Sequence, residues 1–398
     1  MIAPTEGGQA LWRQGRPVSE LGEFGLIARI RERVRRAAAG RVSLARETSG
    51  EHETSGAHGA SGAPDASGGG LACADIGDDC ALLRPPSGWD LLLTCDTLVE
   101  GRHFRREWIT PRELGARAAE INVSDIAAMG GLPDGALISL GLQPDFPVAA
   151  VDEIYEGLLA ALGAHGARIL GGNVTTAASL FLDVTLAGRV EAGEALCRHR
   201  ARPGEVVFVT GVPGRAGAAL AALAAGEGIW PRVAERVTAA GKRRVTPDEL
   251  RERMRRYHAV PRARIEIGRY LLKNELASAA IDVSDGLAGD AAHLCEESGV
   301  AITLEEIFLP LDGDLRQLGE ELGTDPLRWV LGASDDYELL FTVPPERVDQ
   351  VFAIAGLFDV RVTPVGSVLP GPGGVRLRRK DGSFAEPAGG WDHLRGGA

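Results

Sequence analysis

Lysine, cysteine and long apolar runs are scarce in this 398-residue chain, and each shortage excludes a class of protein. The only lysines are Lys242, Lys273 and Lys380, and none lies in a glycine-rich loop, so a Walker-type nucleotide site is excluded. The five cysteines are odd in number and form no Cys-x-x-Cys pair, which favours a reducing cytoplasm over a disulfide framework. The chain contains no run of roughly eighteen apolar residues, so no transmembrane helix is predicted. Residues 1–16 lack the apolar core of a signal peptide, so we expect a cytoplasmic protein with no membrane partner.

The excess of acidic side chains narrows the choice of ligand. Asp and Glu number 55 and Lys and Arg number 43, which gives a formal net charge of −12. Binding to nucleic acid needs a basic surface, so we expect no nucleic-acid partner. If the substrate is anionic, metal ions must lie between its charges and those of the protein.

Length and composition predict two domains of ordinary size. Residues 1–20 are predicted to form a polar extension, residues 21–192 a first domain and residues 193–398 a second. Residues 20–39 carry apolar side chains at helical spacing and predict a helix. Residues 40–70 are rich in Ser, Gly and Ala and hold too few apolar side chains to offset the entropy of ordering, so they predict a disordered insertion.

Apolar runs that end in a carboxylate recur along the chain. Residues 91–93 are all leucine and predict a strand with no solvated face. The next three residues, Thr94, Cys95 and Asp96, are therefore expected where a buried sheet ends, the usual ligand position in α/β proteins. An Asp in that place is also a common turn residue or helix cap, so the pattern alone is a weak indication.

A predicted helix carries another carboxylate near its end. Thr110 and Glu113 form a capping box that opens a helix running to Met129, with Gly130 after it. Asp125 lies in the last turns of that helix, where it opposes the helix dipole. A surface salt bridge and a bound cation explain Asp125 about equally well, and the other carboxylates favour the cation.

Two further segments also place polar side chains next to a predicted strand. Asp282, Ser284 and Asp285 lie between a predicted strand and a predicted helix, and a helix cap accounts for only one of the two carboxylates. Gly172 and Asn173 are predicted to lie in a glycine-rich turn after a strand, which suits either a phosphate or a plain tight turn.

The carboxylates that lie beside apolar sequence at predicted element ends are Asp79, Asp96, Asp125, Asp282 and Asp285. If they converge, they repel one another unless cations neutralise them. Oxygen ligands suit hard divalent ions, and Mg²⁺ held by carboxylates and substrate phosphates is the usual nucleotide arrangement. No zinc pattern of Cys and His, nucleophile elbow or Ser/His/Asp pattern competes with this interpretation.

The order and spacing of several segments resemble the thiamine-monophosphate kinase family. These segments are residues 22–24 (Gly-Glu-Phe), 77–79 (Gly-Asp-Asp), 96–104, 122–130, 281–287 and 336–339. The family belongs to the aminoimidazole-ribonucleotide-synthetase-like ATP-binding superfamily, so the resemblance implies an α/β (α+β) fold of two domains. It also implies that the N-terminal sheet pairs with its twin in a homodimer and that ATP binds in a cleft with several Mg²⁺ ions.

The resemblance assigns roles residue by residue. The implied Mg²⁺ ligands are Asp79, Thr94, Cys95 (through its backbone at most), Asp96, Asp125, Asn173, Asp282 and Asp285. The implied ATP contacts are Gly172, Asn173, Arg198 and Ser284. The implied contacts to thiamine phosphate are His103, Asp335 and Trp391. Asp125 and Asp285 are the implied catalytic residues.

The implied reaction is direct in-line transfer of the γ-phosphoryl group of the co-substrate ATP onto the phosphate of thiamine monophosphate. This acceptor is already an anion near neutral pH, so the reaction needs no strong general base. Clustered Mg²⁺, His103 and Arg198 would bring the two anionic phosphates together. Two alternatives remain open: an enzyme of the same superfamily that acts on another small acceptor, and a non-catalytic ATP-binding protein that has drifted from the kinase.

Two segments depart from the family pattern. Where the family has Gly-Gly-Asp-Thr-Thr-Arg, this chain has Asn173 in place of the Asp. Where the family has Gly-Gly-Glu-Asp-Tyr-Glu, this chain has Ala333, Ser334 and Asp335 in place of the first three residues. These departures bear on metal binding and on the fit to thiamine, not on the fold.

Overall fold

The computed structural model describes residues 9–13, 15–49, 80–241 and 244–387. The predicted metal ligand Asp79, the predicted substrate contact Trp391 and much of the predicted insertion lie outside these residues. The chain divides into two compact units. The first unit is drawn mainly from residues 6–122 and 133–189, and the second mainly from residues 123–132 and 190–398. No helix in the described part of the chain combines the length and the apolar character needed to cross a membrane.

The first unit contains a four-stranded sheet and three α-helices among its described residues. Its strands are β1 (Trp89–Val99), β2 (Leu132–Leu142), β3 (Arg168–Thr176) and β4 (Phe181–Glu191), in the order β1-β4-β2-β3, and β2 and β3 are parallel. Its helices are α1 (Gly22–Ser49), α2 (Pro111–Ala128) and α3 (Val148–Ala164), and the last turns of α2 belong to the second unit. The backbone of α1 continues to Ser49, so the loop predicted from Gly40 does not begin there.

Strand β1 differs from its prediction because its side chains alternate between two faces. Leu91 is 42% exposed and Leu93 is 65% exposed, so the strand has an open face. The strand also continues to Val99, which places residues 94–96 in its middle and not at its end. A run of leucines marks a strand, but it does not show how many faces of that strand the rest of the unit covers.

Helix α2 begins and ends within one residue of its prediction. The Thr110 N–H donates to the Glu113 side chain (2.9 Å), and the Glu113 N–H donates to the Thr110 hydroxyl (3.3 Å), which confirms the capping box. At the other end, Gly130 has a φ of +68°. Its N–H and that of the next residue donate to the carbonyl groups of Ala127 and Ile126 (2.9 and 2.8 Å), the Schellman arrangement.

Helices α2 and α3 pack backbone to backbone through two glycines. A Cβ on Gly115 would fall on the carbonyl oxygen of Ile154, and a Cβ on Gly157 would fall on the carbonyl oxygen of Arg112. Only glycine allows the two backbones to approach this closely.

The second unit contains a seven-stranded sheet. Its strands are β5 (Val206–Thr210), β6 (Ala279–Val283), β7 (Ala301–Glu305), β8 (Glu338–Val343), β9 (Val362–Leu369), β10 (Gly374–Arg378) and β11 (Phe384–Ala385). They lie in the order β11-β10-β7-β9-β5-β8-β6. Neighbouring strands are antiparallel, except that β10 and β7 are parallel.

The helices of the second unit connect these strands. They are α4 (Arg215–Ala225), α5 (Trp230–Ala240), α6 (Pro247–Ala259), α7 (Ile265–Lys273), α8 (Leu287–Ser298), α9 (Gly313–Leu322), α10 (Leu327–Leu331), α11 (Val348–Val351) and α12 (Ala353–Phe358). Helix α6 opens with a capping box between Thr246 and Glu249 and has Pro247 in its first turn, where a missing N–H costs no helical hydrogen bond.

The core of the second unit joins the central strands to the end of α2. Phe208 and Phe341 are fully buried, and their rings stack with centroids 5.8 Å apart. Ala127 in α2 belongs to the same buried cluster. A Cβ on Gly268 in α7 would fall on the Ala127 carbonyl oxygen, so α7 and the end of α2 are in close contact. The last turns of α2, which carry Asp125, are therefore packed within the second unit.

Helix α4 begins at a carboxylate of the protein itself. Asp336 accepts hydrogen bonds from the backbone N–H groups of Gly214 and Ala216 and from the Ser334 hydroxyl. The N-terminus of α4 is thus occupied by an internal carboxylate and is not open to a bound anion. Burial raises the pKa of Asp336 to about 6, although these hydrogen bonds act to lower it.

We expect Gly157→Ala to lower the free energy of unfolding by about 1–3 kcal/mol, because the new methyl group forces α2 and α3 apart. Chemical denaturation of the variant and the wild type gives the difference. Gly356→Ala is the control: it also lies in a helix, but its Cβ would meet no atom within 4 Å. We expect this control to be unchanged or slightly more stable. Equal effects of the two substitutions would contradict the close contact.

The raised pKa of Asp336 predicts a pH-dependent stability. Because its folded-state value of about 6 exceeds the ordinary 3.8, folded protein binds this proton more tightly than unfolded protein. The contribution of Asp336 to the free energy of unfolding is therefore complete below about pH 4, falls between about pH 4 and pH 6, and is constant above. We expect the unfolding free energy of the wild type minus that of Asp336→Asn to be smaller at about pH 7 than at about pH 4.5. Denaturation series at both pH values measure this, and a difference that grows with pH would contradict the raised pKa.

Candidate active site

Asp282 is a deeply buried carboxyl group with a specific partner. It is the penultimate residue of β6 and is only 4% exposed. The hydroxyl of Ser124 in α2, which is fully buried, donates to Oδ2 of Asp282 at 2.8 Å. A carboxyl group this far from water needs such a donor. The bond orients Asp282 and joins α2 to β6.

Ser284 and Asp285 form the turn between β6 and α8. The backbone N–H groups of both residues donate to Oδ2 of Asp290, each at 3.1 Å. Asp290 is 2% exposed and lies in the first turn of α8, so its side chain reaches back to the turn that precedes its own helix. Gly286 has a φ of +94°, and a Cβ there would fall on the carbonyl oxygen of Gly332. Hydrogen bonds on one side and close backbone packing on the other hold the turn.

The carboxylates around this turn act on one another. Burial, together with the charges of Asp282 and Asp285, raises the pKa of Asp290 well above its ordinary value. Ligand atoms of Asp285, Asp290 and His293 lie within 4.8 Å of one another. The carboxylate oxygens of Asp285 and of its acidic neighbours suit a hard divalent cation, which would relieve the repulsion. The residues present therefore fit Mg²⁺.

Asp125 lies in the same part of the second unit. It is half-buried, and it directly follows Ser124, which holds Asp282. The structure thus brings Asp282 and Asp285 together around Asp290, and it places Asp125 next in sequence to the partner of Asp282. In sequence, α2 lies far from the segment that contains β6, and the Ser124–Asp282 bond spans 158 positions.

The residues predicted to lie at the end of a strand are instead in the middle of β1. Thr94 and Asp96 lie on one face of β1, and Cys95 lies on the other because side chains alternate along a strand. The Cys95 sulfur is 3.6 Å from each carboxylate oxygen of Asp183 in β4 and accepts a hydrogen bond from the Thr185 hydroxyl at 3.4 Å. The Cys95 side chain is therefore turned away from Thr94 and Asp96.

His103 has one ring nitrogen turned toward the backbone. Its Nδ1 accepts a hydrogen bond from the N–H of Val99 at 3.0 Å. The proton of the neutral imidazole must then lie on Nε2, which makes that nitrogen the donor of the ring. A donor of this kind suits a phosphate oxygen.

Gly172 and Asn173 lie in a continuous strand, so the predicted turn is wrong. Both belong to β3, where they pair with Ile138 and Ser139 of β2. A Cβ at Gly172 would fall on the backbone carbonyl oxygen of Ile138, next to an irregularity in the register. The glycine is needed for this close approach and not for a change of chain direction. Asn173 is exposed on the strand.

Arg198 lies apart from the turn at Ser284, whereas the segment that contains Asp335 packs against it: the Tyr337 N–H donates to the Val283 carbonyl at 2.8 Å, and Gly286 packs on the Gly332 carbonyl. Arg198 is exposed, and its carbonyl accepts a hydrogen bond from Ser298 at the last position of α8 (2.7 Å). Because α8 begins beside the turn and rises roughly 1.5 Å per residue, the backbone of Arg198 lies at the far end of this helix. Asp335 is half-buried and directly precedes Asp336, the cap of α4. The roles assigned to Arg198 and Asp335 stay predictions.

Sequence reasoning missed Ser124 and Asp290. No local pattern marks Ser124, because its partner Asp282 is 158 positions away. Asp290 carries a signal, since it is an acidic residue in the first turn of a helix. An acidic residue in the first turn is usually explained by the helix dipole, so the sequence does not reveal that Asp290 accepts hydrogen bonds from the preceding turn.

Comparison with known proteins places this geometry in a family. The model for the AIR synthase related protein, N-terminal domain, matches residues 77–190, and that for its C-terminal domain matches residues 202–378. The chain is 36% identical over 319 residues to the thiamine-monophosphate kinase of Aquifex aeolicus (strain VF5), which covers 80% of this chain and 92% of that protein.

Solved structures of related proteins agree with this family assignment. The crystal structure of thiamine-monophosphate kinase from Stenotrophomonas maltophilia K279a has a TM-score of 0.66 at 32% identity and covers 79% of this chain and 92% of its own. The structure of AaThiL complexed with AMPPCP and TMP has a TM-score of 0.64 at 31% identity and covers 96% of this chain and 99% of its own. They confirm the predicted two-domain α/β fold. The chain therefore belongs to the AIR-synthase-related family and, within it, to the thiamine-monophosphate kinases.

Proposed function

We propose that this protein phosphorylates thiamine monophosphate with ATP to give thiamine diphosphate and ADP. The observation that carries the proposal is the likeness, over almost the whole chain, to a protein whose structure holds AMPPCP and TMP. The cluster of buried and half-buried carboxylates around Asp282 and Asp285 supports it, because phosphoryl transfer between anions needs bound cations.

In the proposed reaction, an oxygen of the acceptor phosphate forms a bond to the γ-phosphorus of ATP. The bond from that phosphorus to the β-phosphate oxygen breaks in line with the attack, and ADP leaves with the electron pair. The acceptor oxygen is already anionic, so no side chain has to remove a proton from it. Catalysis then depends on positioning and on charge.

Mg²⁺, when bound, supplies positive charge that offsets the repulsion between the two phosphate groups. In the second unit, Asp125, Asp282 and Asp285 are the residues that would hold it, and Ser124 fixes the orientation of Asp282. The other proposed ligands are Asp79, Thr94, Asp96, Asn173 and the backbone of Cys95.

Contacts to the substrates form the remaining part of the proposal. His103 would donate its Nε2–H to the phosphate of the acceptor, since its Nδ1 already accepts from Val99. Asp335 and Trp391 are the other proposed contacts to thiamine monophosphate. The proposed contacts to ATP are Gly172, Asn173, Arg198 and Ser284.

We also propose that the protein is a cytoplasmic homodimer in which the open face of the first unit's sheet meets a second copy. Leu91 and Leu93 on β1 and Leu137 on β2 are 42%, 65% and 41% exposed. Large exposed leucines on one sheet are typical of an interface.

The proposed function is tested by incubating the protein with ATP, Mg²⁺ and thiamine monophosphate and measuring thiamine diphosphate and ADP by chromatography. We expect Asp285→Asn to lower the rate by more than the roughly 10–100-fold that loss of an outer-shell partner causes, while the protein stays folded. Asp359→Asn is the control, because it removes the same charge at an exposed position with a φ of +51°, which Asn tolerates. ATP binding without turnover of any thiamine phosphate by the wild type would favour the drifted, non-catalytic alternative.

Asn173 allows a finer test of the metal site. Asn offers a neutral carbonyl oxygen where the family has an anionic Asp, so we expect Asn173→Asp to lower the Mg²⁺ concentration needed for half-maximal rate. Asn173 is exposed on β3, so the substitution should not disturb the fold. Initial rates across a Mg²⁺ titration measure the effect. Thr176→Asp, which adds the same charge at an exposed position of β3, controls for charge alone. Identical curves for wild type and Asn173→Asp would exclude Asn173 as a ligand.

A further inference from the structure

Asp290 is a buried carboxyl group whose hydrogen bonds go to the backbone of the proposed metal-binding turn. One oxygen, Oδ2, accepts from both the Ser284 and the Asp285 N–H groups, each at 3.1 Å. The residue is 2% exposed, so its carboxyl group makes these bonds away from solvent. Without this side chain, two backbone donors of the half-buried turn would lose their acceptor, and an unsatisfied donor costs more than an ordinary hydrogen bond contributes.

The remaining contacts of the turn show why this position matters. On its other side, Gly286 packs so closely on the Gly332 carbonyl that no side chain fits. The turn is also attached directly to β6, whose residues are all buried. The Asp290 carboxyl group is the side chain that accepts from both N–H groups of this turn, and the position of the turn backbone sets where the Asp285 side chain begins.

We infer that Asp290 is a positioning residue, which holds the backbone of Ser284 and Asp285 so that the Asp285 carboxylate is presented to a divalent cation. An oxygen that accepts two N–H groups has its lone pairs in use, so Oδ2 serves the turn and not the cation. This inference rests on the proposed function, because that function identifies the ligand as a complex of a divalent cation and a nucleotide. The hydrogen bonds from the turn to Asp290 do not depend on which molecule receives the phosphoryl group.

The alternative is that Asp290 is itself a metal ligand, because its carboxylate lies within 4.8 Å of ligand atoms of Asp285 and His293. The two roles require different properties of the side chain. Support of the turn needs an acceptor oxygen, which Asn supplies as well as Asp. Direct ligation of Mg²⁺ favours the charge, which Asn lacks.

Substitutions separate the roles. Asp290→Asn keeps an acceptor and removes the charge. Asp290→Leu removes both and keeps the branching of the side chain. Asp285→Asn removes a proposed ligand without touching the support. Asp290→Ala replaces the Leu variant if that variant does not fold. Two measurements are made on each folded protein: hydrogen exchange of the Ser284 and Asp285 amides without metal, and Mg²⁺-dependent binding of a non-hydrolysable ATP analogue by calorimetry.

We expect Asp290→Asn to match the wild type within about threefold in both measurements. Asp290→Leu should speed exchange of the two amides and weaken Mg²⁺-dependent binding by about 10–100-fold, the usual cost of losing an outer partner of a metal site. Asp285→Asn should weaken binding and leave the exchange unchanged. The exchange difference is a readout that a ligand role would not produce.

Two results would overturn the inference. If Asp290→Leu binds the Mg²⁺–analogue complex like the wild type, Asp290 does not position the site. If Asp290→Asn loses binding as severely as Asp285→Asn while its amide exchange is unchanged, Asp290 is a ligand. Neither measurement requires turnover, so a wild type that binds the complex but leaves thiamine monophosphate unchanged would refute the proposed function and not this inference.

Discussion

Repulsion among the carboxyl groups of Asp282, Asp285 and Asp290 is the constraint on which the rest of the site depends. It contributes, after burial, to the raised pKa of Asp290. The fold offsets this repulsion with donors placed at fixed points: the Ser124 hydroxyl meets Asp282, and two backbone N–H groups meet Asp290. Charge in a buried place destabilises the protein unless it is neutralised or hydrogen-bonded. The stability that permits the cluster must come from elsewhere in the second unit, where β8 is buried along its whole length and Phe208 stacks on Phe341.

The acidic residues around the start of β8 show that neighbouring carboxylates can have separate roles. Asp336 caps helix α4. Glu338 accepts two hydrogen bonds from the Arg264 guanidinium, at 2.7 and 2.5 Å, and one from the buried Thr210 hydroxyl. Both groups are hydrogen-bonded within the fold, and the substrate contact of Asp335 stays a prediction. A match to a sequence motif therefore identifies positions, but it does not separate structural residues from those that meet a ligand.

The sequence predicted well wherever the interaction is local. The capping box of Thr110 and Glu113 and the left-handed Gly130 depend on residues within one turn of each other, and both are present. Asp282 and Asp285 were assigned to a strand–turn–helix junction, which is the arrangement found. The bond from Ser124 to Asp282 could not be predicted, because it depends on the packing of α2 against β6 across 158 positions. The open face of β1 could not be predicted either, because burial depends on what the rest of the chain supplies.

The error at Gly172 has a different cause and bears on Asn173. Adjacent glycines are found in turns, but also in strands whose backbone lies very close to a neighbouring strand. Here Gly172 lies so close to the carbonyl of Ile138 that a side chain would not fit. The fold thus explains the glycine at 172 without any ligand. Asn173 is different, since it is exposed on β3 and Asn and Asp are nearly identical in volume. Because an exposed strand position accommodates either residue, the choice of Asn here changes the charge on the surface of β3 and leaves the fold as it is.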